Sequence, residues 1–133
     1  MMSNLLMPNI LVVDDEPTSR AALTIVLRPF GVISVATSAE DAFAVLKERT
    51  IDLVILELKQ IPDRSGPAIL QEIKRLSPNV DMILITARGI LTSALAGLTH
   101  GAVGFLLKPF NAVELVRLAV QITQNKQVLA SAG

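Results

Sequence analysis

Apolar residues fall in five short unbroken runs along the chain: Ile10 to Val13, Val32 to Ala36, Leu53 to Leu56, Met82 to Ile85 and Val103 to Leu107. Each has the length of a strand. Because successive residues are apolar, with little polar alternation, the pattern predicts strands mostly buried on both faces. Between the runs the apolar spacing turns helical, and the ends of those segments carry recognisable signals. Pro17 suits a first helical turn. Ser38 is placed to cap a helix reaching Lys47, and Asn111 with Glu114 three residues on forms a cap pair for the last helix. Ser65-Gly66-Pro67 opens the third helix and Ser77-Pro78 closes it. Regular alternation of strand and helix predicts a parallel sheet covered on both sides. The last helix starts near Asn111 and is expected to run to about Ala130, roughly 30 Å at 1.5 Å per residue.

At 133 residues the chain has the size of one domain, residues 1–133, with its core over about 9–123. The tail, 124–133, reads either as a frayed terminus or as a stub leading to an output domain. Twelve basic and twelve acidic residues cancel with no cationic concentration, which argues against direct binding of nucleic acid or an anionic membrane surface. The absence of cysteine excludes disulfides and thiolate metal sites and is compatible with a cytoplasmic location. The uncharged window Gly89 to Leu107 contains Thr92, Ser93, Thr99, His100 and four glycines. It is shorter and more polar than the roughly 20 predominantly apolar residues of a membrane span. It reads as a helix, near Ile90 to Leu98, followed by a buried strand, and His100 as a surface residue near that helix's end.

The candidate chemistry sits at the ends of the apolar runs. Asp14, Asp15 and Glu16 follow the first, Glu57 ends the third, Thr86 and Ala87 end the fourth, and Lys108-Pro109-Phe110 ends the fifth. Ligands in doubly wound sheets bind beyond the carboxyl ends of the strands, so Asp14, Asp15, Glu57, Thr86 and Lys108 are predicted on one rim. Three carboxylates beside one lysine repel one another unless a cation joins them, and oxygen ligands on a partly solvated rim suit Mg2+. The plainer reading of Asp14 or Asp15 is a helix cap.

These residues, in this order and spacing from about Ile10 to about Ile122, resemble the receiver domain of the response regulators of two-component signalling, the CheY-like superfamily. The resemblance implies a flavodoxin-like, doubly wound α/β fold with a five-stranded parallel sheet in the order 2-1-3-4-5 and five helices. It implies that the residue after the third strand takes a phosphoryl group from a phosphohistidine on a partner kinase. By position, Asp15 matches the direct Mg2+ ligand and Asp14 the acid holding metal-bound water. Glu57 matches the phosphoacceptor and a further ligand, and the carbonyl of Lys59 completes the metal shell. Lys108 matches the cation that meets the phosphoryl oxygens, Thr86 the hydroxyl that follows the phosphate, and Phe105 the switch aromatic. The peptide before Pro109 matches one that is cis in the family.

Two departures stand out. Glu57 adds a methylene where the family has aspartate, and displacing a reacting atom by about 1 Å costs about 100-fold in rate. Pro62 lies five residues after Glu57, one more than the family's spacing, and neither register restores an aspartate. An imposed Asp-to-Glu change would have left a standard loop, so the extra residue favours a natural Glu57. The expected function is a degenerate receiver, not an enzyme beyond slow self-phosphorylation or dephosphorylation, that works through protein–protein interaction. Its expected partners are a histidine kinase or a downstream signalling protein, or a second copy across the face of the fourth helix, fifth strand and last helix, where the fourth helix carries no charge. The alternatives are a phosphorylation-dependent receiver and a small metal-dependent phosphatase of the haloacid dehalogenase type, whose nucleophile loop Asp14-Asp15-Glu16-Pro17-Thr18 matches only in part. A dinucleotide-binding domain is disfavoured because the turn after the first strand has no glycine.

Overall fold

The structure, a computed structural model, describes residues 7–57, 66–87 and 104–132. In chain order the elements are β1 (Asn9–Val13), α1 (Pro17–Leu27), a 3-10 turn (Arg28–Phe30), β2 (Val32–Ala36), α2 (Ala39–Glu48), β3 (Leu53–Glu57), α3 (Gly66–Leu76), β4 (Asp81–Ala87), β5 (Gly104–Lys108) and α4 (Ala112–Ala132). The five strands form one sheet in the order β2-β1-β3-β4-β5, every neighbouring pair parallel. This is the doubly wound, flavodoxin-like architecture, with four helices among the described residues. The stretch expected to hold a further helix, Ile90 to Leu98, lies outside them, as do Lys59, Pro62, Ser65 and His100.

Each central strand feeds two cores, because consecutive side chains point to opposite faces of the sheet. Leu11, Val13, Val54, Leu56, Met82 and Leu84 meet Ala42, Phe43 and Leu46 of α2 and Ile69, Leu70 and Ile73 of α3. Ile10, Val12, Leu53, Ile55, Ile83 and Ile85 meet Leu23 and Leu27 of α1 and Leu115, Ala119 and Ile122 of α4 on the other side. Burying each of these leucines and isoleucines is worth about 1.5–3 kcal/mol, which is why three continuous apolar runs occupy the centre of the sheet. The edge strands differ. Val32 and Val35 of β2 are 55% and 45% exposed, and every residue of β5 is only partly buried. Arg49 donates from Nη1 to Ser34 Oγ across β2, at 2.9 Å.

The amino ends of the strands are tied in a row. Val32 N donates to the Pro8 carbonyl at 2.8 Å, Asn9 N to Asp52 Oδ2 at 2.8 Å, Asp52 N to the Asn9 carbonyl at 2.8 Å and Asp81 N to the Asp52 carbonyl at 3.1 Å. Gly31 is required for this closeness: a Cβ there would lie 2.8 Å from the Pro8 carbonyl oxygen and 2.7 Å from Ile10 Cδ1.

Helix ends follow local chemistry. Ser38 Oγ accepts from Asp41 N at the start of α2, and Asn111 Oδ1 accepts from Glu114 N while Asn111 Nδ2 donates to Glu114 Oε1 at the start of α4. Lys74, in the last turn of α3, donates to the carbonyls of Pro78 and Val80. At the start of α1 the cap is Glu16, whose carboxylate accepts from Thr18 N at 3.0 Å and Ser19 N at 2.7 Å. Neither Asp14 nor Asp15 is the cap residue; Asp14 Oδ1 instead accepts from Glu16 N at 2.9 Å. No helix among the described residues is long and apolar enough to cross a membrane.

Candidate functional site

Parallel register sets the heights of the rim residues. Val13 pairs with Leu56, so Asp14 emerges level with Glu57; Glu57 pairs with Ile85, Thr86 with Leu107 and Ala87 with Lys108. The carboxyl ends of β1, β3, β4 and β5 therefore bring Asp14, Glu57, Thr86 and Lys108 to one edge. Asp14, Glu57 and Thr86 are buried, Asp15 is exposed, and Lys108 keeps 33% of its side chain in contact with solvent.

The direct contacts among them centre on Glu57. Its carboxylate, 1% exposed, forms an ion pair from Oε1 with Lys108 Nζ. Its Oε2 accepts a long hydrogen bond, 3.4 Å, from Ser19 Oγ in the first turn of α1. A carboxylate this far from water is tolerated only when paired and hydrogen-bonded, and Glu57 has one partner on each oxygen. Asp14 is less complete: Oδ1 accepts from Glu16 N, whereas the buried Oδ2 has no hydrogen-bond partner. Arg20 closes the corner by donating from Nη1 to the Asp14 carbonyl at 2.8 Å. The two backbone hydrogen bonds to Glu16, from Ser19 first and Thr18 second, hold its carboxyl below the ordinary glutamate range.

Phe105 stands on β5 opposite Leu84, partly buried against the core under α2 and α3. The Lys108–Pro109 peptide is cis.

The sequence profile of the response regulator receiver domain matches residues 10–120. The chain belongs to that family. This receiver is 35% identical over 104 residues to the regulatory protein LuxO of Vibrio vulnificus and likewise to the transcriptional regulatory protein ZraR of Salmonella typhimurium. Each alignment covers 77% of this chain and 23% of the relative, so the chain spans about a quarter of those proteins' length. A receiver domain from Clostridium thermocellum superposes with a TM-score of 0.83 at 31% identity, covering 93% of this chain and 99% of that one. Receiver domains are signalling modules of two-component systems, and they bind Mg2+ at this acidic rim.

Whether this receiver's residues suit that ion can be judged from their geometry. Mg2+ demands near-octahedral oxygen ligation. Here both Glu57 oxygens are engaged, by Lys108 and Ser19, and Asp15 stands exposed. Among the described residues no three carboxylate or imidazole side chains gather in a metal-holding group. Among the described residues two buried carboxylate oxygens lack a hydrogen bond, Asp14 Oδ2 and Glu57 Oε1, and of these only Glu57 Oε1 has an ion-pair partner, Lys108. The described donor set does not fit a divalent cation in this arrangement, and Lys59 lies outside the described residues.

Ser19 and Arg20 join the site without having stood out in the sequence. The available signal was positional: Ser19 is a polar residue one turn into a helix whose start faces the rim, where its side chain can reach back toward β3.

Proposed function

We propose that this receiver is a degenerate one, in which Glu57 replaces the phosphoryl acceptor and holds the rim in a fixed state. The chain then signals through protein–protein contacts with a histidine kinase or a downstream partner, in the cytoplasm. The observation that carries this reading is the buried Glu57 carboxylate, already engaged by Lys108 on one oxygen and by Ser19 on the other. To attack phosphorus one of its oxygens must give up its partner, and its extra methylene places that oxygen off the position an aspartate would use. Residues 1–133 act as one receiver module. In this reading Thr86 and Phe105 take the roles of the family's switch hydroxyl and aromatic, under a carboxylate that does not change.

An interaction role is supported by the outer side of α4. Val113 is 61% exposed and, with Val116, Val120 and Phe30, lines an open apolar groove. Exposed apolar strips of this kind mark contact surfaces. The groove lies between α4 and the 3-10 turn that follows α1, and none of its lining residues belongs to β5, so it is a different surface from the face of the fourth helix, fifth strand and last helix expected to hold a homodimer.

The test is intact-mass spectrometry after incubation with a small-molecule phosphodonor and Mg2+, with Glu57→Asp beside the unaltered chain. The expected outcome is one phosphoryl group on Glu57→Asp and none on the unaltered chain. Phosphate on the unaltered chain would restore a conventional switch.

A further inference from the structure

The rim poses a charge problem that the residues of this chain answer in their own way. Asp14 and Glu57 are both buried, and a pair of buried carboxylates needs compensating charge or donors. A divalent cation is one answer, yet Glu57, one of the carboxylates that would bind it, is turned to other partners. Glu57 is long enough to span from α1, on the β1 side of β3, to Lys108, two strands away on β5. Ser19 reaches it because the Glu16 cap fixes the first turn of α1, with Ser19 N itself donating to Glu16 Oε2 at 2.7 Å. Arg20, the next residue, anchors the same turn on the Asp14 carbonyl.

We infer that Ser19 is a positioning residue that, with Lys108, clamps the Glu57 carboxylate at two points in place of a divalent cation, making the rim of this receiver independent of Mg2+. Lys108 supplies the positive charge. Ser19 supplies the second donor and prevents Oε2 from turning outward to an ion. Asp14 Oδ2 is left buried without a hydrogen bond and Asp15 stands exposed; with the third carboxylate held by Lys108 and Ser19, no three carboxylates among the described residues gather around an ion that dehydrates reluctantly. Aspartate at position 57, one methylene shorter, cannot bridge both partners and releases an oxygen to solvent. The inference rests on the reading of Glu57 as an arrested acceptor, but it is tested by a different readout.

The experiment is a Mg2+ titration of the chain followed by amide chemical shifts, with Ca2+-free buffer and the signals of Asp14, Asp15, Glu57 and Thr86 as reporters. Four forms are compared: the unaltered chain, Ser19→Thr, Ser19→Ala and Glu57→Asp, each checked for native signal dispersion. The unaltered chain and Ser19→Thr, which keeps the hydroxyl, are expected to show no saturable shift. Glu57→Asp is expected to saturate, and Ser19→Ala to saturate at higher Mg2+ than Glu57→Asp. Saturable binding by the unaltered chain would overturn the inference. So would a Ser19→Ala form indistinguishable from the unaltered chain, because the hydroxyl would then position nothing. A failure of Glu57→Asp to bind would overturn it as well, since releasing the clamp would expose no ion site. Mg2+ binding without phosphate uptake sinks only the clamp, whereas phosphate on the unaltered chain sinks the reading beneath it.

Discussion

The two ends of the same sheet are built to opposite standards. At the amino ends, Pro8, Asn9, Val32, Asp52 and Asp81 form a continuous row of hydrogen bonds of 2.8–3.1 Å that ties four strands together. At the carboxyl ends, Asp14 Oδ2 is buried without a hydrogen-bond partner, and Glu57 combines an ion pair to a partly solvated lysine with one long hydrogen bond. The same sequence satisfies one end fully and leaves the other strained in charge. Imperfect satisfaction concentrates where proteins work, so the contrast separates the end that holds the fold from the end that carries the signal.

The sharpest way to break this contrast is to remove Lys108. Lys108→Ala strands a buried carboxylate and is expected to cost about 2–3 kcal/mol, less than a fully buried pair because the lysine is partly solvated. Urea unfolding followed by far-UV circular dichroism measures it, since the chain has neither Trp nor Tyr to report by fluorescence. Glu57→Leu combined with Lys108→Met should recover most of the loss; if it does not, the loss in Lys108→Ala does not come from an unpaired buried carboxylate. At the tied end, Gly31→Ala pushes a methyl against the Pro8 carbonyl and is expected to cost about 1–2 kcal/mol. Rim amide shifts should stay unchanged, and their movement would show that the two ends are coupled.

The smallest effect is expected at Glu16, on the border of the rim. Its folded pKa lies below the ordinary 4.5. The charged form is therefore favoured by folding, and its contribution is complete above that ordinary value. It fades as pH falls through the lowered folded value. Glu16→Gln should accordingly be slightly less stable than the unaltered chain at neutral pH, with the gap closing on acidification. A gap that is constant with pH would assign the cap to hydrogen bonding without charge.

The fold was legible where single runs carry the information. Leu53 to Leu56 can only be central because no face of it tolerates water, and the structure buries it completely. The run forming β2 has the same apolar pattern, yet Val32 and Val35 are exposed because exposure depends on the strand order, which no one segment encodes. At the site, Asp14, Glu57, Thr86 and Lys108 could be placed on one rim because each ends an apolar run. Ser19 could not, since its contact depends on how α1 lies over β3 and on the reach of one particular glutamate. The Glu16 cap is not legible in the sequence, because aspartate is preferred over glutamate at that position and Asp14 and Asp15 stand directly before it.

The exposed valines of β2 also bear on how the protein behaves in bulk. An edge strand with free backbone groups and apolar side chains is a template for pairing with another molecule. Arg49, laid across Ser34, puts a cation on that border. With twelve acidic and twelve basic residues in all, long-range repulsion between molecules is nearly absent near neutral pH. Colloidal stability therefore depends on this local guard rather than on overall charge, and concentrated solutions should cloud first at neutral pH and when Arg49 is replaced.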